Sequence, residues 1–140
     1  MLDDTIRQFL AHQRIARLAT SDASGRPHVV PVCYVLAGNV LYSVIDRKPK
    51  RKSPPYLRRI QNIQTNPRVA VVVDVYSEDW SQLAYVLIEG QARLISEGEE
   101  HSAALAALRE KYPQYRAMAL EDRPVIAITI ERITTWGNLT

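Results

Sequence analysis

Residues 28–45 read HVVPVCYVLAGNVLYSVI. Apolar and beta-branched residues dominate both halves, and Gly38-Asn39 lies between them. Beta-branched side chains suit a pleated surface, and a Gly-Asn pair suits a two-residue turn. The stretch predicts a hairpin of two strands, HVVPVCYVL and VLYSVI. Pro31 cannot donate to a ladder, which confines its strand to an edge or a bulge. HVVPVCYVL is apolar on both faces, and so is the later run VAVVV. Such strands need two surfaces to bury against. One is a barrel interior, and the other is most simply a second subunit.

The flanking sequence extends this frame. Upstream, RIARLAT predicts a strand and SDASGRP a turn. Before them, Asp3 and Asp4 precede Ile6, Phe9 and Leu10, the pattern of a short amphipathic helix with acids at its start. Downstream, Ser53-Pro54-Pro55 suits the opening of a helix, because proline fits the first turn and serine can cap it. Leu57, Ile60 and Ile63 supply its apolar face, and Asn66-Pro67 ends it. RVAVVVDVY is a strand, SEDWS a polar turn, and QLAYVLIEGQARLI a long strand. In that strand the even positions stay small or apolar. The odd positions change from Leu83, Tyr85 and Leu87 to Glu89, Gln91 and Arg93, which predicts a bend or bulge near Gly90. Ser96 to Glu99 has the spacing of a capping box. The helix after it carries Ala104, Leu105 and Leu108 and ends near Tyr112-Pro113. A short helical piece follows from Tyr115 to Leu120, and PVIAITIERITTW closes the chain as a strand. The fold class is therefore mainly β, a small antiparallel barrel of six strands with helices at its side.

A chain of 140 residues, with 46% hydrophobic and 24% charged residues, reads as one globular domain over 1–140. Its apolar runs fall well short of the roughly 20 residues of a membrane span. The N-terminus MLDDTIRQFL lacks an apolar signal core, and Cys33 is the only cysteine. Cytoplasmic residence is the expectation, with no membrane partner. His12, His28 and His101 are widely separated, and no HxxxH or CxxC occurs, so no metal site is expected. Cys33, inside an apolar strand, reads as a small buried hydrophobe. Nucleophile elbows, Walker loops and GxGxxG are all missing, and no catalytic residue can be assigned.

The anomaly is the segment that follows VLYSVI. Seven of the chain's 18 Lys and Arg residues fall within 46–59, against one acid, Asp46, so the rest of the chain is net acidic. A nucleic-acid face spreads positive charge over a stripe interleaved with aromatics, and that arrangement is absent here. A phosphate site accounts for more of the detail. The basic residues directly precede a predicted helix N-terminus, which attracts anions on its own. Pro49 stiffens the loop, and Arg51 can grip an oxyanion with two prongs.

At this point a family resemblance emerges. RIARLATSDASGRPHVVPVCYVLAGNVLYSVIDRKPKR, NIQTNPRVAVVVD and DWSQLAYVLIEGQARL together resemble the pyridoxamine-phosphate-oxidase-like split barrels. More narrowly, they resemble the branch of F420-dependent oxidoreductases. The likeness runs from about Ile15 to Trp136. It implies a homodimeric, six-stranded Greek-key split barrel with a flavin-type cofactor in each interface groove. That cofactor is FMN or the deazaflavin F420, and seven basic residues within 46–59, more than one phosphate needs, favour F420 with FMN as the alternative. The resemblance places its phosphate on Lys48, Lys50 and Arg51, with Ser43 reaching the phosphate or tail. It lays the ring along Val30, Pro31 and Val32, and Trp80 of the opposite subunit covers it. The implied partner is a conjugated small-molecule electron acceptor. The further basic and aromatic set by which pyridoxamine-phosphate oxidases hold their substrate cannot be placed, so pyridoxal-phosphate synthesis is not expected.

Overall fold

The computed structural model describes residues 2–46 and 57–140. The predicted phosphate ligands Lys48, Lys50 and Arg51, and the predicted helix start at Ser53-Pro54-Pro55, lie outside the described residues.

Helix α1 spans Asp4–His12. Asp3 caps it, its carboxylate accepting from the Ile6 N–H at 2.9 Å. Seven strands follow: β1 Ala16–Ser21, β2 Pro27–Val32, β3 Val35–Ala37, β4 Val40–Val44, β5 Arg68–Val75, β6 Ala84–Ile95 and β7 Val125–Gly137. Helix α2, Arg58–Thr65, precedes β5, and α3, Glu99–Lys111, lies between β6 and β7. All pairings are antiparallel, in the order β2-β1-β5-β6-β7-β4-β3. β2 and β3 occupy the two ends of that order, yet only Cys33 and Tyr34 join them. The two end strands are therefore tethered to each other, and the sheet curls into a split barrel.

This corrects the expected strand count from six to seven. The predicted strand HVVPVCYVL is two strands, because its halves pair with different neighbours: β2 with β1, and β3 with β4. The break is stabilised by Tyr112. Its hydroxyl accepts from the Tyr34 N–H at 3.0 Å, and its proton is shared between the Arg14 and Tyr34 carbonyls at 2.9 and 3.0 Å. A side chain thus satisfies backbone groups that would otherwise need a ladder partner. Pro31 does lie on an end strand, as its missing N–H requires.

Three boundaries also move. Leu57 is extended and α2 begins at Arg58, so Leu57 precedes the helix, although it still packs on the barrel core. The cap of α3 is Gly98, at φ 97, with no side-chain cap bond, so the Ser96–Glu99 box does not form. The piece after α3 is a 3₁₀ turn over Pro113–Ala117, earlier than expected.

The long strand behaves as its pattern predicts. Its even positions face inward, and the register with β7 shifts at Glu89/Gly90. Glu89 pairs with Arg132 and Gly90 with Ile130, so the extra residue is Glu131, on β7. Gly90 is required there, because a Cβ would lie 2.1 Å from the Thr129 carbonyl oxygen. One core fills the barrel, with Leu18, Leu41, Ile45, Val71, Ile88 and Ile128 among its most buried members. A second lies outside it, where Tyr42 and Val44 of β4 meet Leu105 and Leu108 of α3. β4 is thus buried on both faces without a second subunit.

Candidate functional site

The described ends of the basic segment are both anchored. On one side Asp46 accepts a hydrogen bond from the Tyr115 hydroxyl. On the other, Leu57 packs on the barrel core, and α2 carries Arg58 and Arg59. Helix α2 is tied to β1 by two bonds: Asn62 Nδ2 donates to Thr20 Oγ1 at 3.0 Å, and Asn66 Nδ2 to Ser21 Oγ at 3.0 Å.

His28 shares this region. It lies on β2, paired with Thr20, on the same face as Val30 and Val32. Its Nδ1 is buried and has no hydrogen-bond partner among the described residues. Burial lowers its pKa first, and the positive charges of Arg58 and Arg59 lower it further. The two guanidinium charges, unlike the burial, favour an anion at the same place. The sequence reading assigned His28 no role. The signal was available in the period of two that places it in line with Val30 and Val32.

The other predicted site residues fall on different surfaces. Val30 and Val32 face the barrel core, while Pro31 is exposed on the opposite face of β2. Ser43 is buried on β4, between Leu41 and Ile45 on the inward face. Trp80 opens a 3₁₀ turn, Trp80–Gln82, whose cap Asp79 accepts from the Ser81 N–H at 3.1 Å. Its side chain is 72% exposed, and Tyr76 nearby in sequence is also exposed. Val30, Val32 and Ser43 thus share the interior, and Trp80 stands apart from them, facing outward.

Tyr34 and Tyr42 are buried tyrosines whose hydroxyls could serve as proton donors only if they were free. Tyr34 is fully buried, its hydroxyl donates to the Leu10 carbonyl, and burial raises its pKa. Tyr42 donates to Glu100 Oε2 at 2.6 Å, and burial together with that bond pushes its pKa to about 12. Both hydroxyls serve the fold. Among the described residues no cluster of three or more metal-ligating side chains occurs, and no helix is long and apolar enough to cross a membrane.

Comparison with known proteins decides the family. The model described as "Pyridoxamine 5'-phosphate oxidase" matches residues 2–137. The chain belongs to the pyridoxamine 5'-phosphate oxidase family. A 5a,11a-dehydrotetracycline/5a,11a-dehydrooxytetracycline reductase of Streptomyces rimosus subsp. rimosus is 31% identical over 130 residues, covering 92% of this chain and 78% of the reductase. The conserved hypothetical protein Rv2991 from Mycobacterium tuberculosis has the same fold, with a TM-score of 0.79 at 20% identity over 98% of this chain and 85% of its own. HutZ, the heme storage protein from Vibrio cholerae, gives 0.72 at 17% identity over 97% and 94%. At these identities the two structures speak for the fold alone.

Proposed function

We infer that this family member is an oxidoreductase that holds coenzyme F420 at a homodimer interface and passes hydride to a conjugated small-molecule acceptor. The observation that carries the reading is the positive field at the start of α2. Arg58 and Arg59 stand beside the buried His28 Nδ1, and the basic segment leads into them in the chain. That environment fits a cofactor phosphate. The similarity to a reductase supports redox chemistry.

Lys48, Lys50 and Arg51 would hold the phosphate. Arg47, Lys52, Arg58 and Arg59 would meet an extended anionic tail. The number of cations favours F420 over FMN, whose single phosphomonoester needs only two or three of them. When bound in its reduced form, F420 would supply a hydride, becoming oxidised as the acceptor is reduced. The chain's task would be to hold that ring by β2 and by Trp80 of a second subunit, and to exclude water. Tyr34 and Tyr42 are committed elsewhere, so the balancing proton comes from solvent or from the acceptor's own groups.

Titrating the purified protein with F420 and with FMN tests the proposal. F420 is expected to bind more tightly. Lys50→Ala and Arg51→Ala should each weaken it by about 1–3 kcal/mol, the size of a charge-assisted hydrogen bond, and added salt should weaken it further. Equal or tighter FMN binding, indifferent to charge removal at Arg47, Lys52, Arg58 and Arg59, would make this an FMN protein of the same fold. A Soret band on adding hemin, with no response to either flavin-type cofactor, would instead give it the ligand named for HutZ.

A further inference from the structure

A second group of cations is made by residues outside the basic segment. Helices α1 and α3 both pack against β3, leaving a groove of about 660 Å³ between them. Its size is in the range of small-molecule sites. Arg7, Arg14 and Lys111 line it, and Val35, Leu36 and Ala107 supply its apolar wall.

The three cations are held by groups that do not neutralise them. Arg7 Nη1 donates to the Gly38 carbonyl at 2.9 Å, and Arg14 Nη2 to the Lys111 carbonyl at 2.6 Å. Lys111 Nζ donates to the Leu10 carbonyl at 3.3 Å and lies 3.7 Å from the Tyr34 ring centroid. The Arg14 guanidinium sits 4.8 Å over the Tyr112 ring. None of the three forms an ion pair among the described residues, and Glu110, the one acid at the groove, is exposed and pairs with none of them. Burial first, and then the Arg14 charge, lowers the Lys111 pKa to about 8. The site therefore concentrates positive charge at a cost that a bound anion would relieve. The carbonyl bonds fix each guanidinium while leaving further N–H donors for an oxyanion.

We propose that the groove between α1, β3 and α3 binds a small organic oxyanion, its carboxylate or phosphate head on Arg7, Arg14 and Lys111 and its apolar body on Val35, Leu36 and Ala107. None of these residues belongs to the proposed cofactor phosphate site, and either proposal can stand without the other.

Titration of the ¹⁵N-labelled full chain with benzoate, phenyl phosphate and benzyl alcohol, at constant ionic strength, tests it. The expected result is saturable shifts at the amides of α1, Leu36 and Lys111 for at least one anion. The tighter of the two anions identifies the head group. Benzyl alcohol, which keeps the ring and lacks the charge, should bind at least about tenfold more weakly. Arg7→Gln and Arg14→Gln should each weaken the anion about tenfold, the loss expected for a charge-assisted contact. Arg7 lies on the helix surface, so its variant decides the matter if Arg14→Gln does not fold. Absence of saturation with either anion would overturn the proposal. So would equal binding of the alcohol, indifference to the substitutions, or shifts centred on Asp46 and residues 57–60.

Discussion

Single side chains do much of the joining in this molecule. Tyr112 spans the break between β2 and β3 and also ties in the Arg14 carbonyl. Tyr112→Phe keeps the ring and removes the hydroxyl, leaving the buried Tyr34 N–H without a partner. The expected loss is about 2 kcal/mol by urea unfolding, the usual penalty for an orphaned buried donor. A loss near zero would mean that the break is stabilised by packing alone. Glu100 is the second such residue. Arg93 grips both its oxygens at 2.7 and 2.6 Å, Tyr42 donates to one of them, and its pKa falls from the ordinary 4.5 to about 2. A carboxyl with a depressed folded pKa contributes stability above its unfolded value and loses it as pH falls through the folded one. The Glu100 contribution should therefore be intact at neutral pH and vanish between about 4.5 and 2. Both partners are partly solvated, so the contribution is about 1 kcal/mol rather than the full linkage value. Unfolding of Glu100→Gln beside the parent at pH 7 and near pH 2 checks this: the gap should close at the acid end.

At the level of elements, the parts written in local pattern were legible and the parts set by distant partners were not. Asp3 with Ile6, Phe9 and Leu10 specified α1, and Gly38-Asn39 specified the β3–β4 turn. The change of odd positions near Gly90 specified the bulge, because the pattern follows one strand's own two faces. It could not show that the extra residue is Glu131, since that depends on the neighbour's register. The division at Cys33-Tyr34 was illegible for the same reason. The run is uniformly apolar, and only Tyr112, 78 residues away, marks where the ladder stops. The candidate site shows the same limit. Charge density pointed to the basic segment, but His28 gains its meaning from Arg58 and Arg59, which lie 30 positions downstream in the chain and beside it in the fold. The bulge also carries a prediction. Gly90→Ala places a methyl 2.1 Å from a backbone oxygen, so the two strands must separate. The expected cost is about 3 kcal/mol, at the upper end for overpacking, measured as a lowered urea midpoint. A neutral result would show that β7 can slide past its extra residue.

For the whole molecule, the outer face of the barrel carries the argument for the proposed dimer. Reading across the register, Pro31, Arg17, Val72, Leu87 and Thr134 form one outward row over five strands. The next row holds Val29, Ala19, Ala70, Glu89 and Arg132. Apolar residues dominate both rows on the β2, β1 and β5 side, and Val29 is 64% exposed. Trp136, 52% exposed, stacks on Tyr85 along the same sheet. Arg17, paired with Asp74 at 2.8 Å, interrupts the apolar residues, and a face that mixes apolar residues with a few charges in this way is a form that a two-fold dimer uses. The strip is also where a cofactor on the exposed side of β2 would meet a second copy. Sedimentation of the parent protein at micromolar concentration should show twice the mass of one chain. Leu87→Arg puts an unpaired cation in the middle of the strip without touching the barrel core. It should give a folded monomer with F420 affinity reduced at least about tenfold, because half of the groove is lost. Ser102→Arg, on the exposed side of α3, is the control and should remain dimeric. A Leu87→Arg protein that stays dimeric would move the interface off this face. A monomeric variant that binds F420 as tightly as the parent would show instead that one subunit is enough to hold the cofactor.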